Sequence, residues 1–183
     1  MKNRFKTIDL AYIAICAALI VICSWISIPT AVPFTLQTFA IFATLGLLGG
    51  KKGTIAVLVF LILGAIGLPV FANFGGGLGV LLGSTGGYLI GFIFMGLIYM
   101  LGEKISGGKL VIRIASMVLG LAVCYAFGTA WFMVVYTHNS GAIGLGTALS
   151  WCVFPFIIPD LVKMALAISL SEQLRKALHL SGI

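Results

Sequence analysis

The chain has 183 residues, 61% of them hydrophobic and only 8% charged, and its mean hydropathy is +1.22. Soluble domains run about 45–50% apolar and about 25% charged, so the composition excludes the soluble, disordered and fibrous classes and leaves an all-α integral membrane protein. At about 20 apolar residues per crossing, the length holds roughly six or seven helices and no separate soluble domain.

Apolar runs at about 8–28, 34–50, 54–69, 80–102, 111–136 and 150–172 predict a bundle of six transmembrane helices forming a single domain over 1–183. The first run follows Lys2, Arg4 and Lys6. It is longer than a signal-peptide core and reads as a retained span. Ala11, Ala14, Ala17 and Ala18 give it a small-residue surface, with Ala14 and Ala18 one turn apart. Such a surface packs either against another span or against a partner. Trp25 near its end is an interface anchor or an aromatic wall. Pro29 and Pro33 break the chain, and Thr35, Gln37 and Thr38 then open the second span.

Gly49-Gly50-Lys51-Lys52-Gly53 separates spans two and three without the glycine or hydroxyl spacing of a P-loop. Pro69 and a glycine-rich loop carrying Asn73 follow span three. In span four Gly83, Gly87 and Gly91 recur every four residues, a pattern of close helix packing, with Tyr88 among them. Ser106-Gly107-Gly108 ends span four, and Thr137-His138-Asn139-Ser140-Gly141 ends span five.

The net charge of +7 is distributed over alternate connections. The terminal arms, 51–53 and the segment around Lys104, Lys109 and Arg113 hold the basic residues, Lys163 excepted, whereas 29–33, 70–79 and 137–149 hold no charge. This is a topology signal, not a nucleic-acid patch: the basic face is expected in the cytoplasm, with both termini. Cys16, Cys23, Cys124 and Cys152 read as inert buried thiols, and His138 and His179 form no metal motif. No metal and no cofactor are expected.

The sixth run contains Pro159-Asp160-Leu161-Val162-Lys163. An Asp or Lys at mid-membrane costs about 2.5–3.5 kcal/mol on insertion scales. Three residues apart, the two share a helix face. With Pro159 in a first helical turn, Asp160 would sit near a helix N-terminus. The pair is either a self-neutralising structural contact or part of a polar site. Thr35, Gln37, Thr38, Asn73, Trp25 and Tyr88 map to the same outer depth, so together these groups describe an outward-facing pocket for a small amphipathic solute. A membrane enzyme using Asp160 as acid or base would need a second catalytic group, and none is convincing. With a single acidic residue well inside an apolar run, any active transport would draw its energy from a partner.

Val32-Pro33-Phe34-Thr35-Leu36-Gln37-Thr38, Gly67-Leu68-Pro69-Val70-Phe71-Ala72, Thr85-Gly86-Gly87-Tyr88-Leu89 and Pro155-Phe156 with Asp160-Leu161-Val162-Lys163 resemble the BioY family, the biotin-specific substrate-binding subunits of energy-coupling-factor transporters. Ser84 stands where the family pattern has Pro, and Pro159 where Gly often precedes the Asp. The resemblance implies a six-helix subunit of the bacterial plasma membrane that captures biotin from outside. It further implies docking onto a membrane scaffold (T) subunit with two cytoplasmic ATPases, through Ala14 and Ala18. It makes Asp160, Lys163, Asn73, Gln37, Thr35, Tyr88 and Trp25 the expected ligand residues.

Overall fold

The structure, a computed structural model, describes residues 6–106 and 109–177. Lys2, Arg4, the Gly107-Gly108 break and His179 lie outside them. Seven helices follow in order: α1 Thr7–Trp25, α2 Gln37–Ala65, α3 Leu78–Leu82, α4 Gly86–Ser106, α5 Leu110–Ser140, α6 Leu145–Cys152 and α7 Phe154–Ala177. Five stretches are long and apolar enough to cross a membrane: Thr7–Trp25, Gln37–Ala65, Gly86–Ile105, Leu110–Ser140 and Leu145–Ala177. The fold is not purely helical. Between α1 and α2 a short ribbon pairs β1 (Ser27–Ile28) antiparallel with β2 (Phe34–Thr35). The first span therefore ends at Trp25, three residues short of the expected 28.

The expected spans two and three are one helical element with a reversal inside it. Gly49, at φ 76° and ψ 170°, is the sole non-helical residue of α2, and that conformation is open to glycine without a side-chain clash. A Cβ on Gly53 would lie 3.1 Å from the Cα of Leu45. Eight residues of straight helix would separate the two by about 12 Å, so the chain folds back and lays 50–65 beside 37–48. Lys51 and Lys52, expected in a loop, are helical because the turn needs a single residue.

The other boundaries shift for local reasons. The fourth span is divided, since Gly83 interrupts the helical path between α3 and α4. The sixth is divided at Val153 (φ −126°, ψ −58°), between α6 and α7. The fifth continues through the polar run to Ser140, where Gly141 at φ 101° stops it.

α2 is central, packed against α1, α4 and α7, and α4 packs along α5. Phe42, Leu45, Phe60, Met95 and Tyr99 are essentially inaccessible between these helices. Glycine permits the close α4–α5 approach: a Cβ on Gly87 would fall 2.3 Å from Trp131 Cβ, and one on Gly91 2.7 Å from Cys124 Sγ. Gly83 takes no part, because its Cβ would meet Gly79 O of its own segment.

One end of the bundle gathers three of the four acidic residues around the α2 reversal. Gly50 N–H donates to Glu103 Oε2 (2.6 Å), and Lys52 Nζ pairs with Asp9 Oδ1 (2.8 Å). Arg113 donates to Tyr99 Oη, Glu172 Oε1 and Gly46 O at 2.7, 2.5 and 3.1 Å. Sequence reading placed Arg113 in a connecting loop. It lies inside α5 and is buried, its guanidinium joining α2, α4 and α7.

Candidate functional site

The opposite end is built from the segments that interrupt the helices. The β1–β2 ribbon returns the chain from α1 so that 33–38 runs across the bundle end, with Thr35 opposite Ser27. The 69–77 connection is fastened onto α1. Ser24 Oγ donates to Val70 O (2.5 Å), and Trp25 Nε1 to Pro69 O (2.8 Å). The far side of the connection is held by Gly77 N–H donating to Gly64 O (2.7 Å). Within it a 3-10 turn spans Ala72–Phe74, with Asn73 and Phe74 at φ 55° and 58°. Two adjacent left-handed non-glycine residues are uncommon and persist where surrounding contacts fix them. Here Ser27 Oγ donates to Asn73 Oδ1 (3.0 Å), and the Phe74 ring lies 5.2 Å from that of Trp25.

These segments and the start of α4 enclose a cavity of about 200 Å³. Gln37, Asn73, Thr85 and Tyr88 give it polar groups, and Pro33, Phe71, Val80, Leu89 and Phe92 give it apolar walls. Tyr88 Oη is hydrogen-bonded to Thr129 Oγ1 of α5 (2.9 Å). Gln37 is buried, and its Nε2 meets no hydrogen-bond partner. A wider hollow of about 430 Å³ lies between α5 and α6. Its lining is apolar apart from Tyr125 and Thr129, whose hydroxyls are engaged elsewhere, so the smaller cavity is the better candidate for specific recognition.

Asp160 and Lys163 stand behind 33–38 and are 1% and 7% exposed. Lys163 Nζ donates to Asp160 Oδ1 (2.9 Å), Thr35 O (2.7 Å) and Thr38 Oγ1 (3.2 Å), and it lies 4.3 Å from the centroid of the Phe34 ring. Asp160 also accepts from Thr38 Oγ1 (2.8 Å) and Tyr125 Oη (2.6 Å). An ammonium has three donors, and all three are used here. Burying each ion costs several kcal/mol, and this closed set of partners offsets the cost. The expected placement of Asp160 in a first helical turn does not hold. α7 begins at Phe154, Pro155 occupies that turn, and Pro159 lies within the helix.

The structure thus brings Gln37, Asn73 and Tyr88 to one cavity. Thr35 contributes its carbonyl to Lys163 and its hydroxyl to the Gln37 N–H. Trp25 fixes the 69–77 connection and does not line the cavity. Ala14 and Ala18 lie apart from it, exposed along one side of α1. Sequence reading left Tyr125, Thr129 and Thr85 out of the site and placed Thr38 among its polar groups without making it a ligand residue. Tyr125 and Thr129 were detectable as hydroxyls one turn apart in an apolar span, where a tyrosine O–H requires a partner. Among the described residues no three His, Cys, Asp or Glu side chains come together as a metal site would require.

A family model described as the BioY family matches residues 1–180. The biotin transporter BioY of Thermotoga maritima is 44% identical over 87% of this chain and 90% of its own length. The probable biotin transporter BioY of Pyrococcus horikoshii is 37% identical over 93% and 98%. A crystal structure of the S-component for biotin from an ECF-type ABC transporter superposes with a TM-score of 0.81 at 33% identity, covering 96% of this chain and 95% of that one. With a match along nearly its whole length and the polar cavity at one end of an apolar helical bundle, the chain belongs to the BioY family.

Proposed function

We propose that this protein is the biotin-binding membrane subunit of a vitamin uptake transporter and binds biotin at the 33–38, 69–77 and α4 cavity. The observation that carries the reading is the likeness, over 96% of the chain, to an S-component for biotin. The cavity supports it: small, mostly apolar, with amide and hydroxyl groups, it suits a compact ring bearing a urea. Gln37, Asn73 and Tyr88 contact the solute in this proposal. Asp160, Lys163 and Thr35 supply charge and hydrogen bonds from behind 33–38, and Trp25 covers the apolar side. Transport is energised by a scaffold (T) subunit and two ATPases that dock along Ala14 and Ala18 of α1. The bundle is a single domain crossing the cell membrane six times, α2 contributing two crossings through its reversal at Gly49. Both termini, with the basic end, face the cytoplasm. The deciding experiment is mass spectrometry of small molecules that co-purify with the protein. Biotin at near-equimolar amounts is the expected result, and a different vitamin, or none even after saturation with biotin, rejects the reading.

A further inference from the structure

We propose that the hollow between α5 and α6 is a lipid site. One acyl chain of a glycerolipid, from the leaflet at the polar-cavity end, lies along α5 with its ester carbonyl at Thr137 and His138. This is independent of what the polar cavity binds. The first observation is an apolar concavity that faces lipid. Ala122, Ala126 and Ala130 of α5 line one side of it, and Leu145, Leu149 and Val153 of α6 the other, around about 430 Å³. Its two hydroxyls are already engaged, Tyr125 Oη with Asp160 and Thr129 Oγ1 with Tyr88. Water entering the hollow would find no free polar partner, and apolar cavities stay dry. Both walls belong to stretches long and apolar enough to cross a membrane, so the medium at its mouth is hydrocarbon. A chain seated in it touches protein on several sides, and an empty hollow forfeits all of those dispersion contacts.

The second observation is how the hollow ends. Met133 lines it and also lines a second hollow of about 490 Å³, together with Val134, Thr137 and His138. The two therefore adjoin along α5. From Ala122 to Met133 the helix rises about 16 Å, which matches one leaflet's hydrocarbon depth of about 15 Å. Thr137 and His138 follow one turn later, at the depth where acyl chains give way to esters. Their side chains are exposed and engage no other described residue. Each offers a donor, and an ester carbonyl is an acceptor. No Lys, Arg, Asp or Glu occurs in 137–149, so the part recognised is the uncharged ester and not the phosphate.

The test is photolabelling of the protein in phosphatidylcholine vesicles doped with the same lipid carrying a diazirine midway along one acyl chain. Adducts are mapped by mass spectrometry. Residues lining the hollow should take label about fivefold or more above exposed apolar residues of other helices, such as Ile22 and Leu161. Ala126→Phe, which fills the hollow, should remove that excess and leave label at Ile22 and Leu161 unchanged. If this variant does not fold, the wild-type label distribution decides alone. Native mass spectrometry of detergent-purified protein gives a second readout. Wild type should retain one phosphatidylcholine, and Thr137→Val combined with His138→Leu should retain about tenfold less, the effect of two lost hydrogen bonds. Label spread evenly over exposed apolar residues overturns the assignment. So does an unlabelled hollow, whether empty or covered by a second copy of the chain. Unchanged lipid retention in the double variant overturns the ester contact.

Discussion

Asp160 and Lys163 hold opposite charges in a place where each alone would be strongly disfavoured. Their mutual contact, the Thr38 and Tyr125 hydroxyls and the Thr35 carbonyl make a closed set. Breaking a buried ion pair by removing one partner costs about 3–5 kcal/mol. Asp160→Asn and Lys163→Met are therefore expected to lower the thermal stability of the ligand-free protein and, by releasing 33–38, to weaken biotin binding in titrations on detergent-solubilised protein. Wild-type affinity in both would show that 33–38 keeps its seat without the pair. The importance of these two residues was legible in the sequence, because ionisable groups inside an apolar run demand an explanation. Their partners were not. Thr38 and Tyr125 belong to helices 122 and 35 residues away from Asp160 in sequence, and a one-dimensional pattern carries no sign of which hydroxyl will face which carboxylate.

At the scale of elements, α1 differs from α2 in how it uses small residues. Glycines of α2 meet neighbours within the bundle: a Cβ on Gly50 would strike the Met100 backbone at 2.3 Å. Ala14 and Ala18 are exposed and belong to neither buried cluster. A small-residue stripe left open on an apolar helix permits a second helix to approach closely. On the proposed reading, Ala14→Trp and Ala18→Trp should abolish co-purification with the energising subunits while leaving biotin affinity within about twofold, since neither residue supports the cavity. Intact complexes from both variants would move the docking face elsewhere. Apolar periodicity found every long helix, because composition alone determines which stretches belong in lipid. It misplaced the breaks. Five polar or glycine residues near 49–53 looked like a linker, yet one positive-φ glycine suffices to reverse the chain. Val153, an ordinary apolar residue, divides α6 from α7 without any composition signal. The two-residue strands were equally hidden, since pairing that short depends on where α1 and α2 place their ends.

For the whole molecule, the sorting of charge to one end and the neutral cavity to the other gives the bundle a direction. In intact cells, single cysteines in a background lacking the four native ones should react with a membrane-impermeant maleimide at Ala31, Gly79 and Ser140. They should be protected at Lys104 and Lys109 until the membrane is opened. All five side-chain positions are exposed, and at Gly79 a new Cβ meets nothing within 4 Å. Labelling at Lys104 from outside would invert the proposed orientation. The same axis bears on how the protein is made. Both ends of the arm 37–48 are tied to α7: Thr35 and Thr38 to Lys163 and Asp160, and Gly46 to Arg175 and, through Arg113, to Glu172. The arm leaves the ribosome before its polar partners, which follow it by 122 to 129 residues. Until α7 enters the bilayer, the 33–38 segment of the proposed binding site has no fixed seat, so the arrival of α7 locks in place what translation produced well before it.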